Sequence, residues 1–137
     1  MRSTGVNPET NLHTKLIAFI KLANIHLNHF PKYEKYGLCT QIRTCMYDVF
    51  NLVTECNKRY HKKTTLTVLD VKHEQLRMLF KIAHELGYYN YKNSEIKHSE
   101  KEANRRYLAI NIMVDEVGAM IGGWIKKESQ RESNQNV

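Results

Sequence analysis

The sequence contains little of what usually interrupts helices. Its 137 residues include only six glycines and two prolines, Pro8 and Pro31. Because these residues mark turns, their scarcity favours a few long helices over many short strands. No segment alternates apolar and polar residues for long enough to indicate a sheet. A content of 42% hydrophobic and 26% charged residues is typical of a globular protein of one domain.

Long apolar runs are also missing. The best candidate, residues 16–27, carries Lys21 in its middle, so we expect no membrane-spanning segment and no membrane partner. The first ten residues lack the apolar stretch of a secretion signal. The three cysteines, at positions 39, 45 and 56, are odd in number and fall on one predicted helix. They predict reduced thiols and a cytoplasmic protein.

Positive charge is what the sequence has in excess. The formal net charge is +7, while residues 1–10 sum to 0 and residues 128–137 to −1, so residues 11–127 carry +8. The excess therefore belongs to the folded part of the chain. A basic surface of this size is typical of proteins with polyanionic partners, although charge also serves solubility.

Apolar residues recur at helical spacing, three and four apart, in four segments: 12–30, 38–56, 66–86 and 107–124. We expect Pro8 to begin the first helix, Pro31 to end it, and Gly87 to end the third. The pattern predicts an all-α, antiparallel up-down four-helix bundle over residues 11–127. Residues 1–10 form an N-terminal segment, and residues 128–137 are predicted to be a disordered polar tail.

The polar connector between the third and fourth helices, residues 89–106, is expected to extend the fourth helix at its start. Glu102 and Arg106 are four residues apart there, at the spacing of a helical ion pair.

Patterns of catalytic and metal sites are weak. Glu95 and His98 have the Glu-x-x-His spacing of a di-iron site but no second copy, and His26 and His29 lack a matching ligand pair. There is no phosphate-binding loop, no nucleophile elbow and no Cys-x-x-Cys. We therefore predict a protein that is not an enzyme and has no cofactor and no metal.

Two groups of basic residues are candidate binding sites. One surrounds Tyr60 and consists of Lys58, Arg59, His61, Lys62 and Lys63. The other is a stripe on the third helix formed by His73, Arg77, Lys81 and His84, which flanks the apolar face. Glu74 and Glu85 are expected to project elsewhere and to leave this stripe unneutralised. Each group is predicted to contact RNA or a protein partner, with a solvated helix surface as the alternative.

The segment EVGAMIGGWIKK, residues 116–127, places three glycines in a helix next to the only tryptophan, Trp124. Each glycine costs a helix roughly 0.8–1.0 kcal/mol relative to alanine. Gly118 and Gly122 are four residues apart, so they lie on one face and leave a surface without Cβ atoms, which allows another backbone to approach; Gly123 is part of the same candidate interface. That surface is either packed against a neighbouring helix or forms a subunit interface anchored by Trp124. Composition does not decide between the two.

This segment resembles the fourth-helix signature of Avd, the accessory variability determinant of diversity-generating retroelements. FPKYEKYGLCTQIR (30–43) resembles the start of the second helix in that family, and KHEQLRMLFKIAHELGY (72–88) resembles its third. The resemblance covers most of residues 12–127. The connector 89–106 departs from it, being longer than the family's usual link.

The resemblance implies a non-catalytic partner of a retroelement reverse transcriptase. Avd-like proteins form homopentameric rings, bind the reverse transcriptase and engage the template-repeat RNA, which supports mutagenic complementary-DNA synthesis. Arg77 and Lys81 occupy the basic positions of the third-helix motif. The alternative is an RNA- or ribosome-associated bundle of the kind encoded in ribosomal RNA intervening sequences. Those proteins share the FPKYEKYGL motif but lack the GGWI ending and carry an Asn-Ile-Ala-Glu-Gly stretch that is absent here.

Overall fold

The described part of the chain is all-helical. The structure, a computed structural model, describes residues 8–93 and 98–135, and over these ranges it contains no strand. Four α-helices follow one another: α1 (Pro8–Leu27), α2 (Leu38–Lys58), α3 (Lys63–Glu85) and α4 (Glu100–Gln135). A short 3-10 helix, Lys32–Glu34, lies between α1 and α2. The prediction of four helices is confirmed.

Each helix packs against two others, in the order α1, α2, α3, α4 and back to α1. The core is formed by the predicted apolar stripes, whose large members include Phe19, Ile42, Phe80 and Ile121, all at most 2% exposed. Leu86 is an exception, because α3 ends one residue earlier and leaves its side chain 52% exposed.

The ends of α1 and α3 follow from local sequence. Helix α1 begins at Pro8, as predicted, and stops at Leu27, ahead of Pro31. After α3, Gly87 has φ +78°, and the Tyr88 N–H donates to the Ala83 carbonyl at 3.0 Å. This is the left-handed termination that glycine allows without steric strain. The prediction for Gly87 is confirmed.

Helix α4 has the predicted extension at its start and is longer than predicted at its end. It starts after Ser99, whose hydroxyl accepts the Glu102 N–H at 3.0 Å, and it includes the predicted pair of Glu102 and Arg106 at 3.9 Å. It also continues through residues 128–135, where the sequence predicted a disordered tail. The difference has a physical cause, because Glu132 and Arg131 contact side chains of the α2–α3 turn.

By length and composition alone, α4 is also long and apolar enough to cross a membrane. Here it is a bundle helix, since Ile110, Val114 and Ile121 are at most 1% exposed among the other helices. Its central carboxylates are paired as well: Asp115 with Arg77, and Glu116 with Lys15 at 2.9 Å.

The link between α3 and α4 is fixed by a buried arginine that sequence reasoning placed only in a surface ion pair. Arg106 is 6% exposed and donates from Nη1 to the carbonyls of Tyr89 (2.9 Å) and Tyr91 (2.7 Å). The Tyr91 hydroxyl lies 2.7 Å from Nδ1 of His26, and His29 stacks on the Tyr91 ring at 4.4 Å. The link is thereby held against the end of α1.

Burial first, and the charges of Arg106 and His29 second, lower the pKa of His26 from 6.5 to about 4. His26 is therefore neutral at pH 7, and its Nδ1 is able to accept a hydrogen bond from Tyr91.

Candidate nucleic-acid and partner interface

The first predicted basic group lies in the turn between α2 and α3, at one end of the bundle. We call Lys58, Arg59, Lys62 and Lys63 the basic junction. Lys58 is exposed and pairs with no carboxylate among the described residues. Arg59 lies 2.8 Å from Glu55, and Lys63 is 4.0 Å from Glu132. Exposed pairs of this kind contribute little to stability. These three cations are therefore at the surface, and Lys58 is the least neutralised.

Lys62 has a structural role that the sequence did not reveal. Its ammonium donates to the carbonyl oxygens of Cys56 (2.6 Å), Asn57 (3.3 Å) and Arg59 (2.7 Å). These carbonyls belong to the last turn of α2 and the residue after it, where helical acceptors lack partners. Lys62 thus caps α2, and its three donors are used within the chain.

The second predicted group does not form one continuous surface stripe. His73 is 4% exposed, and its Nε2 lies 2.8 Å from the carbonyl oxygen of Val114 on α4. The prediction that His73 flanks the core is wrong, because its position continues the buried spacing of Leu69, Leu76 and Phe80. His73 connects α3 to α4 and is not available to a partner.

Arg77 is part of an intramolecular ion-pair network. Its side chain, 28% exposed, pairs with Glu74 at 3.1 Å and with Asp115 on α4. The hydrogen bond to Asp115 is the main reason that the pKa of Arg77 is raised. The expectation that Glu74 leaves this stripe unneutralised is wrong. Lys81 is exposed and has no carboxylate partner in the described ranges, so it is the cation of this group that is free to bind a partner.

His84 lies between α3 and α4 and is half-buried. Its ring stacks on Tyr107 at 4.1 Å with an interplanar angle of 5°. Its Nδ1 and the hydroxyl of Tyr89 are buried and have no hydrogen-bond partner in the part of the chain that the structure describes. His84 therefore packs against α4 and does not extend a surface stripe.

The three glycines of α4 face different environments. A Cβ at Gly118 would lie 2.8 Å from Cε1 of His73, whereas a Cβ at Gly122 or Gly123 would meet no atom within 4 Å. Gly118 therefore serves close packing between α4 and α3. Trp124 is 4% exposed, so it packs within its own bundle and is not a surface anchor. Gly122 and Gly123 alone remain available for an interface.

Sequence reasoning missed one exposed apolar surface and anticipated a second only at its glycines. The α3 surface stripe consists of residues spaced three, seven, four and four apart and each 45–52% exposed: Val68, Val71, Met78, Ile82 and Leu86. The α4 smooth face consists of exposed residues on the outside of α4: Leu108, Ile112, Ala119, Gly122 and Gly123. The α3 surface stripe could have been found in the sequence, because its apolar residues form a second helical periodicity in α3 beside that of the core.

Among the described residues, the weak metal candidates are not assembled into a site. His26 is bonded to Tyr91 and His29 is stacked on it. Glu95 lies outside the described residues, and His98 is next to the Asn90 carbonyl at 3.2 Å. No group of three potential ligands meets elsewhere in the described ranges. The three cysteines are buried, and burial raises the pKa of Cys39 and Cys45.

Together these features define a class: a basic four-helix bundle whose surface carries charged and apolar patches. The chain belongs to the bAvd-like family, whose model matches residues 12–128. This family is an accessory, non-catalytic one. No curated protein matches the chain significantly.

Proposed function

We propose that the protein is a non-catalytic accessory subunit of a diversity-generating retroelement, acting in the cytoplasm. In this role it binds the retroelement's reverse transcriptase and its template-repeat RNA and supports mutagenic complementary-DNA synthesis. Membership of the bAvd-like family over residues 12–128 is the observation that carries the proposal. The net charge of +7 agrees with a polyanionic partner.

The proposal includes an antiparallel, up-down arrangement of the helices. Two contacts between α1 and α2 support it: His13 lies 2.9 Å from Thr54, whereas Asn24 accepts a hydrogen bond from Arg43 at 3.0 Å. The start of α1 thus meets the end of α2, and its end meets the start of α2.

The proposal also includes a homopentameric ring. The α3 surface stripe and the α4 smooth face are unlike in shape, since one carries branched and long side chains and the other lacks Cβ atoms at two positions. Contact between unlike surfaces of identical chains is head-to-tail, and such contacts close into rings when the rotation permits. Side chains of the stripe are therefore expected to pack on Gly122 and Gly123 of the next subunit.

The interface is tested by Gly122→Leu and by the double variant Met78→Glu, Ile82→Glu. Native mass spectrometry is expected to show loss of the pentamer in both, with helicity by circular dichroism unchanged. A leucine at Gly122 has open space around it in the monomer, so loss of the oligomer reports on the interface. Asn51→Glu, an exposed change in α2, is the matched control and keeps the ring. Variants that retain the wild-type mass would place the interface elsewhere.

The function is tested by co-purification with the reverse transcriptase of the retroelement, followed by complementary-DNA synthesis on template-repeat RNA. We expect synthesis to require the protein. RNA binding without binding of any reverse transcriptase would overturn the proposal and favour the ribosome-associated alternative.

A further inference from the structure

Tyr60 is an exposed aromatic residue at the centre of the basic junction. It lies in the turn between α2 and α3 and is 71% exposed. Its ring is held by the chain itself: Cζ of Arg131 lies 5.5 Å from the ring centroid, and the ring of His61 meets it edge-on at 4.8 Å. The ring is thus oriented by neighbouring groups while most of its surface faces solvent.

A cavity of about 560 Å³ lies beside this ring and shares Arg131 with it. It is formed where α4 passes the turn, and it contains three cations and the single tryptophan. Its lining consists of Lys62, Trp124, Lys127, Glu128, Gln130, Arg131 and Asn134. The extension of α4 beyond residue 127 therefore creates a groove next to the exposed tyrosine.

The charge around the ring is positive even after internal pairing. Six cations meet three carboxylates here, an excess of three; the cations are Lys58, Arg59, Lys62, Lys63, Lys127 and Arg131, and the carboxylates are Glu55, Glu128 and Glu132. Lys58 and Lys127 have no carboxylate partner among the described residues. A polyanion is the partner this surface fits.

An exposed aromatic ring surrounded by cations distinguishes single-stranded from double-stranded nucleic acid. An unpaired base stacks on such a ring, and stacking of one base is worth about 1–3 kcal/mol. Bases within a double helix are stacked on one another and are not available. We propose that this end of the molecule binds single-stranded RNA, with one base stacked on Tyr60 and the adjoining phosphates against Lys58, Lys63, Lys127 and Arg131.

The inference rests on the proposed function only in taking RNA as the ligand, and its test does not need the reverse transcriptase. The full-length protein is titrated into a labelled 20-nucleotide single-stranded RNA and into a duplex of the same length, with fluorescence anisotropy as the readout. The variants are Tyr60→Leu, Tyr60→Phe and, as a control, Tyr36→Leu, which changes a tyrosine 86% exposed beside α2's start.

Tyr60→Leu is expected to weaken binding of the single strand by roughly 5- to 150-fold, the equivalent of about 1–3 kcal/mol. Tyr60→Phe keeps the ring and is expected to bind within about twofold of wild type, as is Tyr36→Leu. Duplex binding is expected to be the same for all variants. Lys127→Gln reduces the slope of affinity against salt, whereas Tyr60→Leu leaves that slope unchanged.

Trp124 gives a second readout in the unmodified protein. Because it lines the cavity beside Tyr60, single-stranded RNA is expected to change its fluorescence emission. Equal affinity of Tyr60→Leu for the single strand, or an equal loss for the duplex, would overturn the inference. Full displacement of RNA by an acidic peptide at equal charge would also overturn it. Failure to bind the reverse transcriptase would overturn only the proposed function.

Discussion

The guanidinium of Arg106 lies over the ring of Tyr91, with 3.7 Å between Cζ and the ring centroid, and it also donates to the Tyr91 carbonyl. One side chain thus contacts both the ring and the backbone of the same residue. Tyr91 in turn contacts His26 and His29 of the α1 end. The connector between α3 and α4 is therefore held at Tyr89 and Tyr91 by a buried polar network.

Arg106→Lys tests this network. Lysine keeps the charge but lacks the planar guanidinium that donates to two carbonyls and stacks on the Tyr91 ring. We therefore expect the free energy of unfolding to fall by about 2–3 kcal/mol. The matched control is Arg105→Lys, whose side chain is 70% exposed and which is expected to change stability by less than about 0.5 kcal/mol. Urea denaturation followed by circular dichroism measures both. Equal effects at the two positions would contradict the network.

His26 is expected to make stability depend on pH. Its pKa is about 4 when folded and 6.5 when unfolded, so the unfolded chain binds the proton first on acidification. The contribution of His26 to the free energy of unfolding is complete above pH 6.5. It is lost as the pH falls towards 4, by up to roughly 3 kcal/mol. His26→Asn retains an acceptor for Tyr91 but does not titrate, and its stability is expected to fall less over this window. Parallel curves for the two proteins would refute the role of His26.

Substituting alanine for Gly118 and for Gly123 in α4 is expected to have opposite effects on stability. Gly118→Ala forces the buried ring of His73 to move, which we expect to destabilise the fold by about 1–2 kcal/mol. Gly123→Ala meets no neighbour and is expected to stabilise the helix by up to about 1 kcal/mol. Melting temperatures of the two variants under conditions that dissociate the oligomer check the difference. A stabilised Gly118→Ala would show that His73 is not held in place.

Substitution of Lys62 is expected to affect the stability of the protein, whereas substitution of Lys58 is expected to affect its RNA binding. Lys62→Met removes three hydrogen bonds to the end of α2 and is expected to destabilise the protein by about 1–3 kcal/mol. Lys58→Met leaves stability unchanged, since Lys58 has no described ion pair, but it reduces the dependence of RNA affinity on salt. Denaturation and RNA titrations on both variants decide this. A salt slope unaffected by Lys58→Met would exclude it as a phosphate contact.

Arg77 and Lys81 are expected to have different roles: Lys81 contacts the reverse transcriptase, whereas Arg77 stabilises the fold. Lys81→Ala removes an exposed, unpaired cation and is expected to weaken capture of the reverse transcriptase at unchanged melting temperature. Arg77→Ala breaks the pairs with Glu74 and Asp115 and is expected to lower the melting temperature. Pull-down and thermal denaturation of each single variant measure the two effects. Full binding by Lys81→Ala would remove α3 from the partner surface.

Periodicity was sufficient to predict the four helices and most of the core, because apolar spacing depends only on helix geometry. It failed where a polar residue occupies a core position. His73 and Arg106 lie at the buried spacing of α3 and α4, four residues from Leu69 and Ile110, yet their polarity suggested surface roles. Each is buried because a backbone carbonyl of another segment accepts its hydrogen bonds.

The candidate site was harder to predict than the fold. The basic junction could be identified from local composition alone. The pairing of Arg77 with Asp115 depends on a residue 38 positions away, and the capping role of Lys62 depends on the conformation of its own turn. The contact of Arg131 with Tyr60 required α4 to continue past residue 127, where composition indicated a disordered tail.

The pairing of Lys15 with Glu116 joins the first helix to the last across about 100 residues of chain. During synthesis at roughly 5–20 residues per second, Glu116 is added about 5–20 s after Lys15. For that time the apolar stripe of α1 has α2 as a neighbour but not α4. The bundle is thus completed only after α4 has been synthesised. In this interval the part of the α1 stripe that α4 later covers is exposed and open to aggregation.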